Sequence, residues 1–271
     1  ECGRGLIIGL PGATDAALKA LDVPAPRSTD QPSPDGSDTI LLDKIEHIDL
    51  ELVICGLALP NVPLADVVAG YSYDLLPDGT WATRSDEGIL RVSVNENGVA
   101  IQPLAPQISV GGNILNSQER FELTDHATIE TPAGSVQFYP TKAGYLGMLL
   151  NAGTKKLGIR NGQTAEIGRK PNPPGLAFPN RDGQENIRWC SGARAAQAKR
   201  EDFSLDRVLA GRQQAAIKAS RGAIELHPLH DDCATFVYRE GRIGRAKRAV
   251  RIRIGDLLVA GTNVVAVRAP E

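Results

Sequence analysis

The sequence predicts a mainly β protein, with two β-sandwich domains behind a short N-terminal helix. Three observations lead there. Its 271 residues include 28 glycines and 18 prolines, which divide the chain into short elements joined by turns. It is 42% hydrophobic but only 4% aromatic, so its core must come mainly from Val, Ile, Leu and Ala. From about residue 39 onward, short apolar runs recur between turn signals, the spacing of an all-β sandwich or barrel.

In chain order, residues 1–23 form an N-terminal segment. Thr14 can cap a short helix from Asp15 to Leu21, with an acid in its first turn. Residues 24–38 are rich in Pro, Ser and Asp and lack large apolar groups. They read as a linker, because burial there cannot offset the entropy of ordering. Residues 39–140 read as a first sandwich. Ile48, Leu50, Leu52 and Ile54 alternate in period two, and the run Leu90–Val94 is joined to Val99–Ile101 through Asn95-Glu-Asn-Gly98, a strong hairpin signal. Residues 141–155, interrupted by glycine, read as a connector. Residues 156–269 read as a second sandwich carrying an insertion at about 170–202.

Two stretches of the first sandwich echo the second in the same order. Asn97–Leu104 matches Arg221–Leu229, and Phe121–Asp125 matches Ile252–Asp256. The echo predicts two copies of one β fold.

Four motifs in order make residues 156–269 resemble a forkhead-associated domain. They are Ile167-Gly-Arg169, Gly211-Arg-Gln-Gln-Ala-Ala-Ile217, Ala234-Thr-Phe-Val-Tyr238 and Ile252-Arg-Ile-Gly-Asp256. The resemblance implies an eleven-stranded sandwich whose loops at one end bind phosphothreonine peptides. Residues 39–140 resemble a more divergent copy. In the family, the Arg after Gly and the Ser of the second motif contact phosphate, a His supports the loop, and an Asn of the third motif holds the peptide backbone.

This chain departs from that pattern. Arg169 is retained, but Gly211 stands where the Ser would be, Gln214 where the His would be, and Tyr238 where the Asn would be. Charge-assisted bonds to phosphate contribute about 1.5–3 kcal/mol each, so losing all but one donor removes most affinity. In the first half the matching segment, near Asp86-Glu87, carries acids that would repel phosphate.

Arg239, Arg242, Arg245, Lys247, Arg248, Arg251 and Arg253 form a basic run. Arg251 and Arg253 are expected on the solvent face of a strand, with Arg242 to Lys247 on the loop before it. Such a patch suits an acidic partner, and it equally serves to block pairing at a sheet edge. No aromatic side chain interleaves with it, which argues against single-stranded nucleic acid.

The remaining constellations argue against catalysis. The cysteines, Cys2, Cys55, Cys190 and Cys233, form no CxxC pair and read as reduced thiols. His227, His230, Asp231, Asp232 and Cys233 cluster on one loop, but adjacent carboxylates on a turn do not make converging ligands. Gly9–Thr14 lacks the Lys and hydroxyl ending of a phosphate loop, and no nucleophile elbow is present.

The expectation is therefore a non-catalytic interaction or scaffold module of an assembly or signalling protein, independent of phosphate, with no cofactor and no metal. Its binding residues are Arg169, Gly211, Arg212, Gln214, Tyr238, Arg242, Arg245 and Arg251. Its partner is an acidic or phosphorylated protein, and an oligomer is compatible. Retained phosphothreonine binding is one alternative. An enzyme subunit using the insertion around Trp189 and Cys190 is another. Thr29, beside Asp30 in the linker, is a candidate phosphorylation site for a forkhead-associated domain elsewhere. The net charge of −2 gives no pull toward nucleic acid or anionic membrane. With no signal peptide and no run of eighteen apolar residues, the segment is expected in the cytoplasm without membrane insertion. Starting at Glu1 without Met, it is expected to be a piece of a longer protein.

Overall fold

The computed structural model describes residues 49–270 apart from 61–70, 180–209 and the turn positions 96, 118, 142–144, 221 and 231–233. The expected N-terminal helix, the linker with Thr29 and most of the insertion lie outside the described residues. Among the described residues there are twenty strands and no helix.

The first ten strands are β1 (Leu50–Pro60), β2 (Tyr71–Leu75), β3 (Trp81–Ala82), β4 (Leu90–Asn95), β5 (Gly98–Pro103), β6 (Ser109–Val110), β7 (Asn113–Ile114), β8 (Phe121–Leu123), β9 (Ala127–Thr131) and β10 (Gly134–Pro140). The next ten are β11 (Tyr145–Ile159), β12 (Thr164–Gly168), β13 (Gly175–Ala177), β14 (Ala215–Ser220), β15 (Ala223–Pro228), β16 (Thr235–Arg239), β17 (Arg242–Arg245), β18 (Val250–Ile252), β19 (Leu257–Ala260) and β20 (Asn263–Arg268).

They form three sheets. One has ten strands in the order β17-β16-β19-β20-β1-β11-β10-β9-β6-β7. The other two have five strands each, β3-β2-β4-β5-β8 and β13-β12-β14-β15-β18. Adding ten to each strand of the first half gives its counterpart in the second. Under that exchange the two five-stranded orders interconvert, and the ten-stranded order reads as its own reverse. The chain is therefore a pseudo-twofold duplication whose axis passes between β1 and β11. The sequence echo falls on β5 and β15 and around β8 and β18, which are counterpart strands.

The long strands β1 and β11 run antiparallel, and each serves both halves. Leu50, Leu52 and Ile54 join Ile159, Ile217, Leu226 and Val265 in the second core, that of the second half. Leu57 and Leu59 join Leu75, Val92, Ile101 and Phe138 in the first core, that of the first half. The alternation changes phase at a bulge. Ile54 pairs with Lys155 and Gly56 with Leu150, so β1 advances two residues while β11 advances five. Gly153 sits in that bulge at φ 100°, packed against Val53. Gly56 has no room for a Cβ against the Leu149 carbonyl.

The other face of the ten-stranded sheet is buried too. Val53, Cys55, Ala58, Met148, Phe236 and Val264 belong to a third core. There Tyr145 meets Phe236 edge-on at 5.6 Å and donates from its hydroxyl to the Gly261 carbonyl at 2.9 Å, tying the halves together. Burial on both faces explains why β1 reads as an almost continuous apolar run. Each fully buried Leu contributes about 1.5–3 kcal/mol.

Three expectations are corrected here. Residues 141–155 are not a connector separating two domains, because β11 runs through most of them. Gly147 is a packing glycine whose absent Cβ makes room for the Phe138 ring, rather than a strand breaker. Residues 242–245 are a strand, not a loop. They pair with β16 through the turn Glu240-Gly241, whose φ angles of 51° and 78° suit a tight hairpin. Within the insertion, Gly175–Ala177 pairs parallel to β12.

Candidate functional site

The second half brings the first two motifs together. The Gly168 position abuts the Arg212 carbonyl so closely that no Cβ fits. Backbone amides then lace the segments: Arg169 N donates to Gly211 O at 3.0 Å, Lys170 N to Arg212 O at 2.8 Å, and Gln214 N to Ile167 O at 2.8 Å. Motifs distant in sequence thus form one loop end beside β12 and β14.

Within it, Gln214 is fully buried. Its Oε1 accepts from Gly211 N at 2.6 Å, and its Nε2 donates to Ala234 O at 3.2 Å and Thr235 Oγ1 at 2.8 Å. The buried amide ties the turn at Gly211 to the start of β16. Arg169 turns its Nε onto the Ala210 carbonyl at 2.6 Å, so part of its guanidinium is spent within the loop. Gly211 is buried and offers only backbone, while Arg212 is exposed.

Tyr238 is not at this loop end. It is only 8% exposed and lies in the third core, where burial pushes its hydroxyl pKa up. Thr235 reaches Gln214, but Tyr238 stands three residues further along β16, about 10 Å away and on the opposite face. Strand alternation, not motif position, decides its role.

The members of the basic run have different surroundings. Arg239 is half-buried and held by Asp256, whose hydrogen bonds raise the Arg239 pKa further. Arg253 pairs with Glu240 at 2.8 Å on the surface. Arg251 is exposed between Val250 and Ile252, which pack inward, and it reaches the Gly222 carbonyl at 3.3 Å on the outer face. Arg242 and Arg245 stand three residues apart on β17, so strand alternation sends them to opposite faces, yet both border one hollow. They rim a groove of about 400 Å3, with Val237, Ala246 and Val250 among its lining residues. A second hollow of about 230 Å3 continues it past Arg245 and Lys247 to His230 and Ala234. Ala234 is the residue whose carbonyl Gln214 grips, so the loop end and the groove meet there.

The groove lies along β17 and beside β18, which are edge strands of the two sheets around the second core. Ala246, which lines both hollows, is not among the sequence candidates, and Ala234 and Lys247 are named there only as members of a motif and of the basic run. The available signal was the small-residue pair Ala234 and Ala246, flanking strands that carry larger side chains. His227 is taken up by Glu225 at 3.1 Å, and Asp231, Asp232 and Cys233 lie outside the described residues.

In the first half, the matching loop is built differently. Asp74, fully buried, accepts two bonds from Arg91 at 2.8 and 2.9 Å and one from Ser85 N at 2.7 Å. A carboxylate compensated by Arg91 anchors that loop from inside, where the second half uses the neutral Gln214 amide. No helix among the described residues is long and apolar enough to cross a membrane. No family model, curated protein or solved structure matches the chain.

Proposed function

We propose that the chain is a non-catalytic protein-interaction module of forkhead-associated type, acting without phosphate recognition. Its basic groove, rather than its loop tip, receives an acidic segment of a protein partner. The observation that carries this reading is the Gln214 side chain, which is fully buried and bonded to Gly211, Ala234 and Thr235 at the position where the motif would support a phosphate-binding loop. Arg169 is left as the one matching ligand, and its Nε is already engaged.

The strand count supports the family reading. Around the second core, β17, β16, β19, β20, β1 and β11 face five strands of the smaller sheet, giving eleven. The first core, counted the same way with β1 and β11 shared, also gives eleven. The groove supports the partner reading. Its lining sets Arg239, Arg242 and Arg245 among Val237, Ile243, Ala246 and Val250, and its one acid, Glu240, is held by Arg253.

The test is a fluorescence-polarisation titration with two peptide sets, one rich in Glu and one built around phosphothreonine. The expected result is binding of the Glu-rich peptide, abolished in an Arg242→Glu, Arg245→Glu variant, with no gain from phosphothreonine. Binding that requires phosphothreonine and disappears in Arg169→Ala would overturn the reading.

A further inference from the structure

The duplication places a second edge where the basic groove stands. β7 and β8 occupy in the first half the positions of β17 and β18 in the second. β7 and β17 end the ten-stranded sheet, while β8 and β18 end the smaller ones. These counterpart edges differ sharply in charge. Residues 235–256, from the start of β16 to the start of β19, carry seven bases and two acids, a net charge of +5. Residues 109–126, from the start of β6 to the start of β9, carry Arg120 against Glu119, Glu122 and Asp125, a net charge of −2.

The acidic edge is also apolar. Ile114 on β7 is 77% exposed and Phe121 on β8 is 37% exposed. Glu122 is exposed beside Phe121, and Glu130 is exposed on β9, opposite Ser109. Edge strands often carry Lys and Arg merely to prevent pairing with another sheet. That explanation would require protection at both ends of the ten-stranded sheet, since both expose strand edges. Only the β17 end has it. From Ser109 to Glu119 there is no basic residue, and the one large side chain set most fully in solvent is an isoleucine.

We propose that these two edges are complementary and that the chain assembles head to tail. The β7–β8 edge of one copy docks on the β17 groove of the next. Ile114 seats against the apolar lining of Val237, Ala246 and Val250, and Glu130, which shares the outer face of Ile114 across β6, meets Arg242. The interface is heterologous, because it joins different patches, so nothing in it limits growth to two copies. This inference rests on the groove being an acceptor for an acidic segment and names that segment.

The test is sedimentation velocity on the whole chain over a range of concentrations, at about 50 mM and about 300 mM salt. The expected result is concentration-dependent association that weakens at the higher salt. Ile114→Lys and Arg242→Glu lie on the surface, and each should give monomer with an unchanged melting temperature. Mixing the two variants should restore association limited to a heterodimer, because each retains one intact face and the two intact faces match. A chain monomeric throughout, association untouched by both variants, or a mixture that stays monomeric would overturn the proposal. Failure of self-assembly is separable from failure of the groove. If a Glu-rich peptide still binds and Arg242→Glu abolishes that binding, only the head-to-tail pairing falls. If the peptide does not bind either, the acceptor reading falls with it.

Discussion

Arg239 grips Asp256 with two parallel hydrogen bonds, Nε to Oδ1 at 2.7 Å and Nη2 to Oδ2 at 2.6 Å. The carboxylate is almost wholly buried and also accepts Arg253 N at 2.9 Å, so it pins the turn between β18 and β19 to the end of β16. Bidentate pairing of this kind fixes geometry as well as charge. It also explains why one member of the basic run is not available to a partner.

Asp256→Ala should therefore cost about 3 kcal/mol, because it strands a half-buried guanidinium and an amide. Arg253→Ala should cost less than about 0.5 kcal/mol, because its pairing with Glu240 is solvent-exposed. Urea denaturation of both variants checks the contrast. Equal effects would mean that burial does not separate the two pairs.

Gln214 makes a sharper prediction about the loop end. Gln214→Ala leaves the Gly211 amide and the Thr235 hydroxyl facing a void, and should cost about 3 kcal/mol. Arg169→Ala removes one bond from a mostly exposed side chain and should cost about 1 kcal/mol. Neither should alter binding of a Glu-rich peptide under conditions where the variant stays folded. A large loss of affinity in Arg169→Ala at unchanged stability would place the arginine on the ligand.

Much of this was legible in the sequence, and the misses share a cause. The β4–β5 hairpin was readable because turn chemistry is local: Asn95 pairs with Gly98 as the Asn-Glu-Asn-Gly signal requires. The duplication was readable because β5 and β15 kept similar side chains. Gly168-Arg169 and Gly211-Arg212 meet as the motif order implied. The exchange of strands between halves was not readable. Nothing in Leu50–Pro60 states that Leu52 and Leu57 belong to different cores, because that depends on a bulge set by the partner strand. Tyr238 failed for a similar reason. Its motif position is one-dimensional, whereas the face it presents depends on how β16 sits between β17 and β19. The groove joins residues contributed by separate strands and turns, and no linear spacing announces it.

The shared strands predict that the two halves unfold together. Leu52 and Leu57 lie five positions apart on one strand yet serve separate cores. Leu52→Ala and Leu57→Ala should each cost about 3 kcal/mol. Each should lower the midpoint of one calorimetric transition for the described region, without splitting it. Independent sandwiches would instead give two transitions, with each variant shifting only one. Differential scanning calorimetry of the two variants decides between these outcomes.

Cys55 provides a probe of that shared unit. It is 1% exposed, packs in the third core on β1, and has its Sγ directed at the Val264 carbonyl at 3.8 Å. Burial raises its pKa from 9.0 to about 11, with Arg268 opposing the shift. The neutral thiol is thus favoured in the folded state. Its contribution to stability is complete below pH 9.0 and is lost as the pH rises toward about 11. At pH 8 the thiolate fraction is about one in a thousand, and the site is closed to reagents. Native protein should leave Cys55 unmodified by iodoacetamide at pH 8, as read by peptide mass spectrometry, and labelling should begin only when urea opens both halves. Because β1 is common to the three cores, its labelling midpoint should coincide with the loss of Trp81 fluorescence from the first core. Labelling of Cys55 well before that loss would show that the strand leaves one half while the other stays folded.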